Sequence, residues 1–308
     1  MKRQRGVALL LALLVLALTV LLVTALLREG ELRQARLRDH WRAEQAWQLY
    51  AGLEAWARRS LPSAMAGAVP PAPTVEVDGS SVQGRLRDLG GCFNINALAP
   101  RGRTDPAALA RLERLLALLQ LPVALAAQAA DFVDADDLAL PGGAEQAAHA
   151  AARAPGRPAN RPIADPGELQ RLPAMTAAHW QRVSPWLCAL PDDHRINLNV
   201  APPELWRLLD PRLDAATAAR LAQPGTGLAP RHADLAAVRV ALDAEGIVGV
   251  SLDGFGVDSR YFMLEAEIVA DGIPFALRSL LQRGPDGVRV LARARGTHWV
   301  DSAPWPPS

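Results

Sequence analysis

One short stretch, DFVDADDLALPGGAE, holds Asp131, Asp134, Asp136, Asp137 and Glu145. Like charges packed this closely repel unless water solvates them or they share a cation. Calcium takes about six to eight oxygens, mostly from carboxylates and carbonyls. Asp134 to Glu145 covers the twelve positions of an EF-hand loop, with acids first, third and last. Leu138 and Ala139 stand where such a loop needs an oxygen ligand and a glycine, so this is not an EF-hand. Pro141-Gly142-Gly143 can turn the chain and return Glu145 toward the aspartates. Two readings stand: a cation site, or a solvated acidic loop.

Other chemistry is sparse. No G-x-S-x-G, H-E-x-x-H, Walker loop or G-x-G-x-x-G occurs. The six histidines are scattered, which suits surface or capping roles. Lys and Arg total 33 against 32 Asp and Glu, so net charge does not mark a nucleic-acid binder.

The elements that position these residues begin with MKRQRGVALLLALLVLALTVLLVTALLREGE. Val7 to Leu27 carries no charge, enough helix to cross a hydrocarbon core of about 30 Å. It is longer than a signal-peptide core and lacks a small-x-small cleavage site. Lys2, Arg3 and Arg5 hold the short N-terminus in the cytoplasm and put the bulk of the chain outside. Gly6 followed at once by the apolar helix is where a prepilin peptidase would cut, leaving Val7 first; an uncleaved anchor is the alternative. The helix is expected to continue past the membrane to Arg59. Leu37, Trp41, Ala46, Trp47, Tyr50, Leu53 and Ala57 mark one apolar face, with Glu54 and Arg58 as an i,i+4 pair. In an oxidising compartment the two cysteines, Cys92 and Cys188, are expected to form a disulfide; two separate buried thiols are the alternative.

Beyond a Pro/Ala-rich connector at 61–73, valines alternate around Asp78-Gly79 and predict a hairpin. Residues 104–190 read as helical, starting at Thr104-Asp105-Pro106 and including DPGELQRL, and a second helical block starts at APPELWRLL. Strand alternation returns from Val257. FNINALAP (93–100) and INLNVAPPE (196–204) echo each other as N-x-N before an apolar run and proline. They suggest a helical excursion carried out of a sheet, with the asparagines holding turns through their side chains.

Taken in order, RGVALLLALLVL, FNINAL, DFVDADD…PGGAE, RPANRPIADPGEL, INLNVAPPEL and DSRYFMLEAEI resemble the type II secretion system minor pseudopilin K family over nearly the whole chain. The resemblance implies an α+β, pilin-like fold: a long N-terminal helix on an antiparallel sheet, with a large helical insert holding SAM-like or helix-hairpin-helix-like segments. It implies a leader at 1–6, a transmembrane helix at 7–27, an amphipathic helix at 28–59, a β part at 60–98, the insert at 99–250, and C-terminal strands and tail at 251–308. It implies cleavage between Gly6 and Val7, methylation of Val7, and calcium in the insert. The ligands carried over are Asp134, Asp136, Asp137, Glu145 and Asn160. Leu11 stands where most pilin-like proteins carry glutamate; leucine avoids a costly carboxylate in the bilayer and loses its attraction to a neighbour's amine. That suits a subunit at a filament tip. The implied setting is the bacterial inner membrane, with minor pseudopilins I and J, the major pseudopilin, the inner-membrane assembly platform and the prepilin peptidase as partners. Such a chain is structural, not an enzyme. A membrane-anchored periplasmic metal-dependent hydrolase and a competence-type DNA-binding membrane protein are the other readings.

Overall fold

The computed structural model describes residues 3–61, 71–152, 157–191, 194–224 and 230–295, with side chains from Ala12 onward. Residues 62–70 of the connector, Gly225, Gly227, the tail from 296, and the side chains of Val7 and Leu11 lie outside them.

One helix, α1, runs from Arg3 to Ser60. Its interior has no proline, and Pro62 ends it by disfavouring helix at the preceding residue. Its 58 residues span about 87 Å. The most apolar window has a mean hydropathy of 2.2 and buries nothing against the rest of the chain, so this half is long and apolar enough to cross a membrane. Farther along, Ala46, Tyr50, Leu53, Ala57 and Leu61 are buried at helical spacing. Leu37 and Trp41, expected on that face, are 68% and 74% exposed. The sheet stops short of them: Arg42 meets Asp271, at a sheet turn, at 3.2 Å. Glu54 and Arg58 also turn to the sheet. Glu54 accepts from Ser279 Oγ and Arg293, and Arg58 donates to the Val288 carbonyl.

The hairpin forms as the alternation predicts: β1 (Thr74–Val77) and β2 (Ser80–Asp88) join through Asp78 and Gly79, both at positive φ, as a tight hairpin turn requires. The excursion follows. Its elements are β3 (Phe93–Asn94), α2 (Pro106–Leu118), α3 (Ala124–Val133), α4 (Gln146–Ala151), α5 (Ala177–Val183), β4 (Leu187–Cys188), β5 (Ile196–Asn197), α6 (Pro203–Trp206), α7 (Ala215–Leu221), α8 (Leu235–Ala244) and β6 (Phe255–Gly256). The chain returns through β7 (Tyr261–Ala270), β8 (Ile273–Gly284) and β9 (Gly287–Arg295). The antiparallel sheet has the order β1-β2-β7-β8-β9. Since β2 and β7 are neighbours, everything from 89 to 260 leaves and re-enters at one point. One apolar core lies between α1 and the sheet, and a larger one fills the excursion.

Local chemistry sets the helix starts. Asp105 caps α2 by accepting from Ala107 N and Ala108 N, with Pro106 at the first helical position. Asp214 and Asp234 cap α7 and α8. DPGELQRL, expected to be helical, forms a 3-10 turn over Pro166–Arg171. So short a piece, stopped by Pro173, gains little from α-helix nucleation.

The echoed N-x-N motifs are the hinges of two lobes built on one plan. Asn94 Oδ1 accepts from Asn96 N, and Asn197 Oδ1 accepts from Asn199 N. Asn96 donates to the carbonyls of Ile163 and Leu190 and accepts from Ile163 N. Asn199 donates to the carbonyls of His232 and Val257 and accepts from His232 N. Ile163 and His232 each stand two residues before an aspartate cap, Asp165 or Asp234. Parallel bridges, Phe93–Leu187 and Ile196–Phe255, close the lobes. Asn96→Ala removes three hydrogen bonds and takes this partner from the Ile163 N–H and carbonyl, while the Leu190 carbonyl keeps its bond from Asn94 Nδ2; it is expected to cost about 2–4 kcal/mol. Asn199 is half-buried, so Asn199→Ala is expected to cost less; denaturant titration of both variants checks the order.

At the neck, Cys92 and Cys188 form a disulfide with a Cα–Cα distance of 5.8 Å. They cluster with Leu89, Leu190 and Tyr261. Gly90 is needed here because a Cβ would fall 2.1 Å from Ser259 Oγ. Asp88 accepts from Gly90 N, and burial pushes its carboxyl up to about 6. Arg283 and Asn197 both bond to Ser259 across the same point.

Candidate metal centre

The acidic stretch lies in the first lobe, between α3 and α4. Asp131, in the last turn of α3, is fully buried. Its carboxylate accepts from Leu140 N and from Ala144 N at 2.7 Å, folding the loop back onto its own helix. Gly143 passes so close that a Cβ would lie 2.0 Å from Asp131 Oδ2. Asp134 caps the end of α3, and Thr104 Oγ1 donates to its Oδ2 at 2.8 Å. Glu145 precedes α4 and is 8% exposed. One ligand atom from each of Asp134, Asp136 and Glu145 lies within 4.8 Å of the others.

These groups are incompletely satisfied. Asp134 Oδ1, both oxygens of Glu145 and Asn160 Oδ1 are buried with no hydrogen-bond partner among the described residues. A buried carboxylate with no partner carries a large desolvation cost. Burial raises the Asp131 and Asp134 carboxyls above the usual range. Burial first, then the charges of Asp131 and Asp134, pushes Glu145 up to about 7. A hard divalent cation answers this donor set: it pairs with acids that otherwise repel, and it suits carboxylate and amide oxygens.

The remaining ligand candidates stand at the edge. Asn160, at φ 45°, donates from Nδ2 to the Asp136 carbonyl and to Asp137 Oδ1 at 3.1 Å. The amide nitrogen thus holds Asp137, leaving Asn160 Oδ1 as an unpartnered oxygen that could ligate a cation. Sequence reasoning missed Thr104 as a partner of Asp134 and Asp131 as the loop's fastening. The Asp131–Asp134 spacing, one helical turn, was the available signal for the second. It also missed His149. That ring is fully buried, stacks on Phe132 with centroids 6.1 Å apart, and burial holds its pKa below the ordinary value. His194 and His232 are buried too, contrary to the surface or capping expectation, because each fills a space beside a long-range aromatic, Tyr261 or Trp206. His179 does cap a helix, with Thr176.

The model of the family "Type II secretion system (T2SS), protein K" matches residues 91–192, the first lobe with its acidic loop. Type II secretion system protein K of Klebsiella pneumoniae is 31% identical over 244 residues, 73% of this chain and 72% of that protein. The chain belongs to the type II secretion system protein K family. The Pseudomonas aeruginosa protein K is 30% identical over 250 residues, 79% of this chain and 70% of that one. A chain of the solved GspK-GspI-GspJ complex from enterotoxigenic Escherichia coli superposes with a TM-score of 0.72 at 26% identity, covering 85% of this chain and 99% of that chain. Protein K membership accounts for the long anchor helix, the sheet and the helical insert together, and makes the chain a structural component of the secretion apparatus.

Proposed function

We propose that this chain is the tip subunit of a periplasmic type II secretion pseudopilus, a minor pseudopilin that starts assembly and supports export of folded proteins across the outer membrane. The observation that carries the reading is the division of α1. Among the described residues its most apolar window buries nothing against the rest of the chain, and its second half is fixed to a sheet that extrudes a large two-lobed insert. A helix of this form slots laterally into a helical fibre, and the insert hinders addition of a further subunit above it. Leu11 supports the same placement by removing the carboxylate that would draw in a neighbour's amine.

The reading includes cutting between Gly6 and Val7 by the prepilin peptidase, N-methylation of Val7, and residence in the inner membrane with the bulk in the periplasm. Partners I and J follow from the solved complex of the relative; the major pseudopilin and the assembly platform follow from the place in the fibre. The chain acts through its helix and interfaces, with no catalytic centre. Calcium would be held by Asp134, Asp136 and Glu145, with Asn160 at the edge and Asp137 orienting that amide. The ion would supply charge neutralisation and fix the loop between α3 and α4.

Intact mass measurement of the native polypeptide tests the central claim. An N-methylated Val7 start is expected, and Gly6→Val is expected to leave the leader attached and abolish type II export. A polypeptide that begins at Met1 while export proceeds normally overturns the reading.

A further inference from the structure

The disulfide at the neck has a third group beside it. Cys92, Cys188 and His194 are all buried. A ring nitrogen of His194 and the two sulfurs lie within 4.8 Å of one another. Three segments converge here: Cys92 precedes β3, Cys188 ends β4, and His194 stands two residues before β5. The imidazole is held in place. Its Nε2 lies 3.3 Å from the Cys92 carbonyl oxygen, and the ring packs edge-on to Tyr261 with centroids 6.1 Å apart. Leu89 and Leu190 make the surroundings apolar. A disulfide needs no third partner, so this nitrogen completes a donor set that the bond itself does not use.

We propose that, before the disulfide forms, Cys92, Cys188 and His194 hold a thiophilic divalent cation of the zinc class at the neck. The donors select the cation. Two sulfurs and an imidazole nitrogen suit zinc, whereas calcium and magnesium take oxygens. The acidic loop, built of oxygens, is the opposite case, so the two centres do not compete for one ion. The charges also match. Two thiolates neutralise one Zn2+, and an apolar neck tolerates a neutral centre far better than two bare thiolates. A tetrahedral set around zinc places its donors about 3.3–3.8 Å apart. Without the S–S bond, side-chain rotation brings the sulfurs to that separation from Cα atoms 5.8 Å apart. Three protein ligands leave the fourth position to a water.

The chain is synthesised with thiols, so the dithiol form precedes the bond and needs no reductant. When the cation binds, two S–H bonds break, two S–Zn bonds form and two protons leave to water. A disulfide-bearing oxidant later takes the two electrons. It is reduced to two thiols with uptake of two protons, the Cys92–Cys188 bond forms, and Zn2+ departs. Cation and disulfide are alternative fastenings of one neck. The cation keeps the two cysteines opposite each other, and the first lobe closed, until oxidation. The inference goes beyond the secretion role and is independent of calcium.

The full chain in detergent micelles, reduced in the absence of air and with calcium in excess, tests it. Co2+ is the probe. The reduced wild type is expected to bind a single Co2+ with an intense thiolate-to-cobalt band and tetrahedral visible bands, both lost when zinc is added. Cobalt held by the acidic loop would give no thiolate band. The oxidised chain and Cys92→Ser with Cys188→Ser are expected to lack the band. His194→Ala is expected to weaken binding by at least about tenfold and still form the disulfide on oxidation. X-ray absorption of the zinc-loaded wild type is expected to show two sulfurs and an imidazole, and this readout needs no variant to fold. A reduced wild type without the thiolate band overturns the proposal. So does a zinc shell without imidazole. Undiminished binding by His194→Ala overturns it as well, and reduces the dithiol to an adventitious ligand only.

Discussion

Glu145→Gln is expected to change the stability of the chain in opposite directions with and without calcium. Without the ion, the wild-type carboxylate is buried beside Asp134 and Asp136 with neither oxygen bonded. A neutral carboxamide removes that charge, so the variant melts above the wild type at pH 8. With calcium at about 100 times its dissociation constant, the wild type gains about 2.7 kcal/mol, a rise of several degrees, and the variant gains little. The metal-free chain also acquires a pH dependence from this group. Its pKa is raised from 4.5 to about 7, so the stability it contributes is complete below about 4.5 and lost as pH rises through about 7. Calcium is expected to flatten that slope. Asp131→Asn provides the contrast. It weakens the acceptor that holds Leu140 N and Ala144 N, so it destabilises the chain whether or not the ion is present. Scanning calorimetry in chelator and in calcium reads all three proteins. Identical wild-type melting in both conditions rules out the metal centre.

The sequence was most legible where a local pattern decides the outcome. The unbroken apolar run fixes the start of α1, Pro62 its end, Asp78-Gly79 a hairpin, and Asp105-Pro106 a helix start. The N-x-N echo was legible for the same reason: an asparagine that bonds a backbone two residues on makes a local motif. What it could not reveal is that the motif's second asparagine ties down segments some 30 to 95 residues away. Periodicity marks an apolar face but cannot say where the opposing surface stops, which is why Leu37 and Trp41 share a pattern with Tyr50 and are left in solvent. The acids of the site were visible as a cluster. Their division of labour was not: whether Asp131 fastens the loop or binds a cation depends on where Leu140 N and Ala144 N arrive, and turn geometry sets that. His149 offered no signal of its own, since a lone histidine reads the same on either face of a short helix.

Replacing both cysteines by alanine is expected to cost about 4–5 kcal/mol, because the bond between Cys92 and Cys188 closes a loop with a sequence separation of 96. That is a large share of the roughly 5–15 kcal/mol that holds a typical domain. The loss should be uneven. The bond sits at the neck, next to the Phe93–Leu187 bridge, and it spans the first lobe. The core between α1 and the sheet gains nothing from that loop closure, since its contacts lie outside 92–188. Limited proteolysis of the double variant should therefore cut first within the first lobe, while α1 and the strands β7 to β9 stay protected. The second lobe keeps its own Asn197–Ser259 and Asn199–His232 fastenings and should resist longer than the first. Calcium should partly restore the first lobe, because the ion would join Asp134 at the end of α3 to Glu145 ahead of α4 within the freed loop. Equal denaturant midpoints for the wild type and the double variant would show that the two-lobed insert is held by its cores and asparagine hinges alone. Cleavage that begins in β7 to β9 would show that the sheet depends on the insert for its stability, contrary to the separation of the two cores.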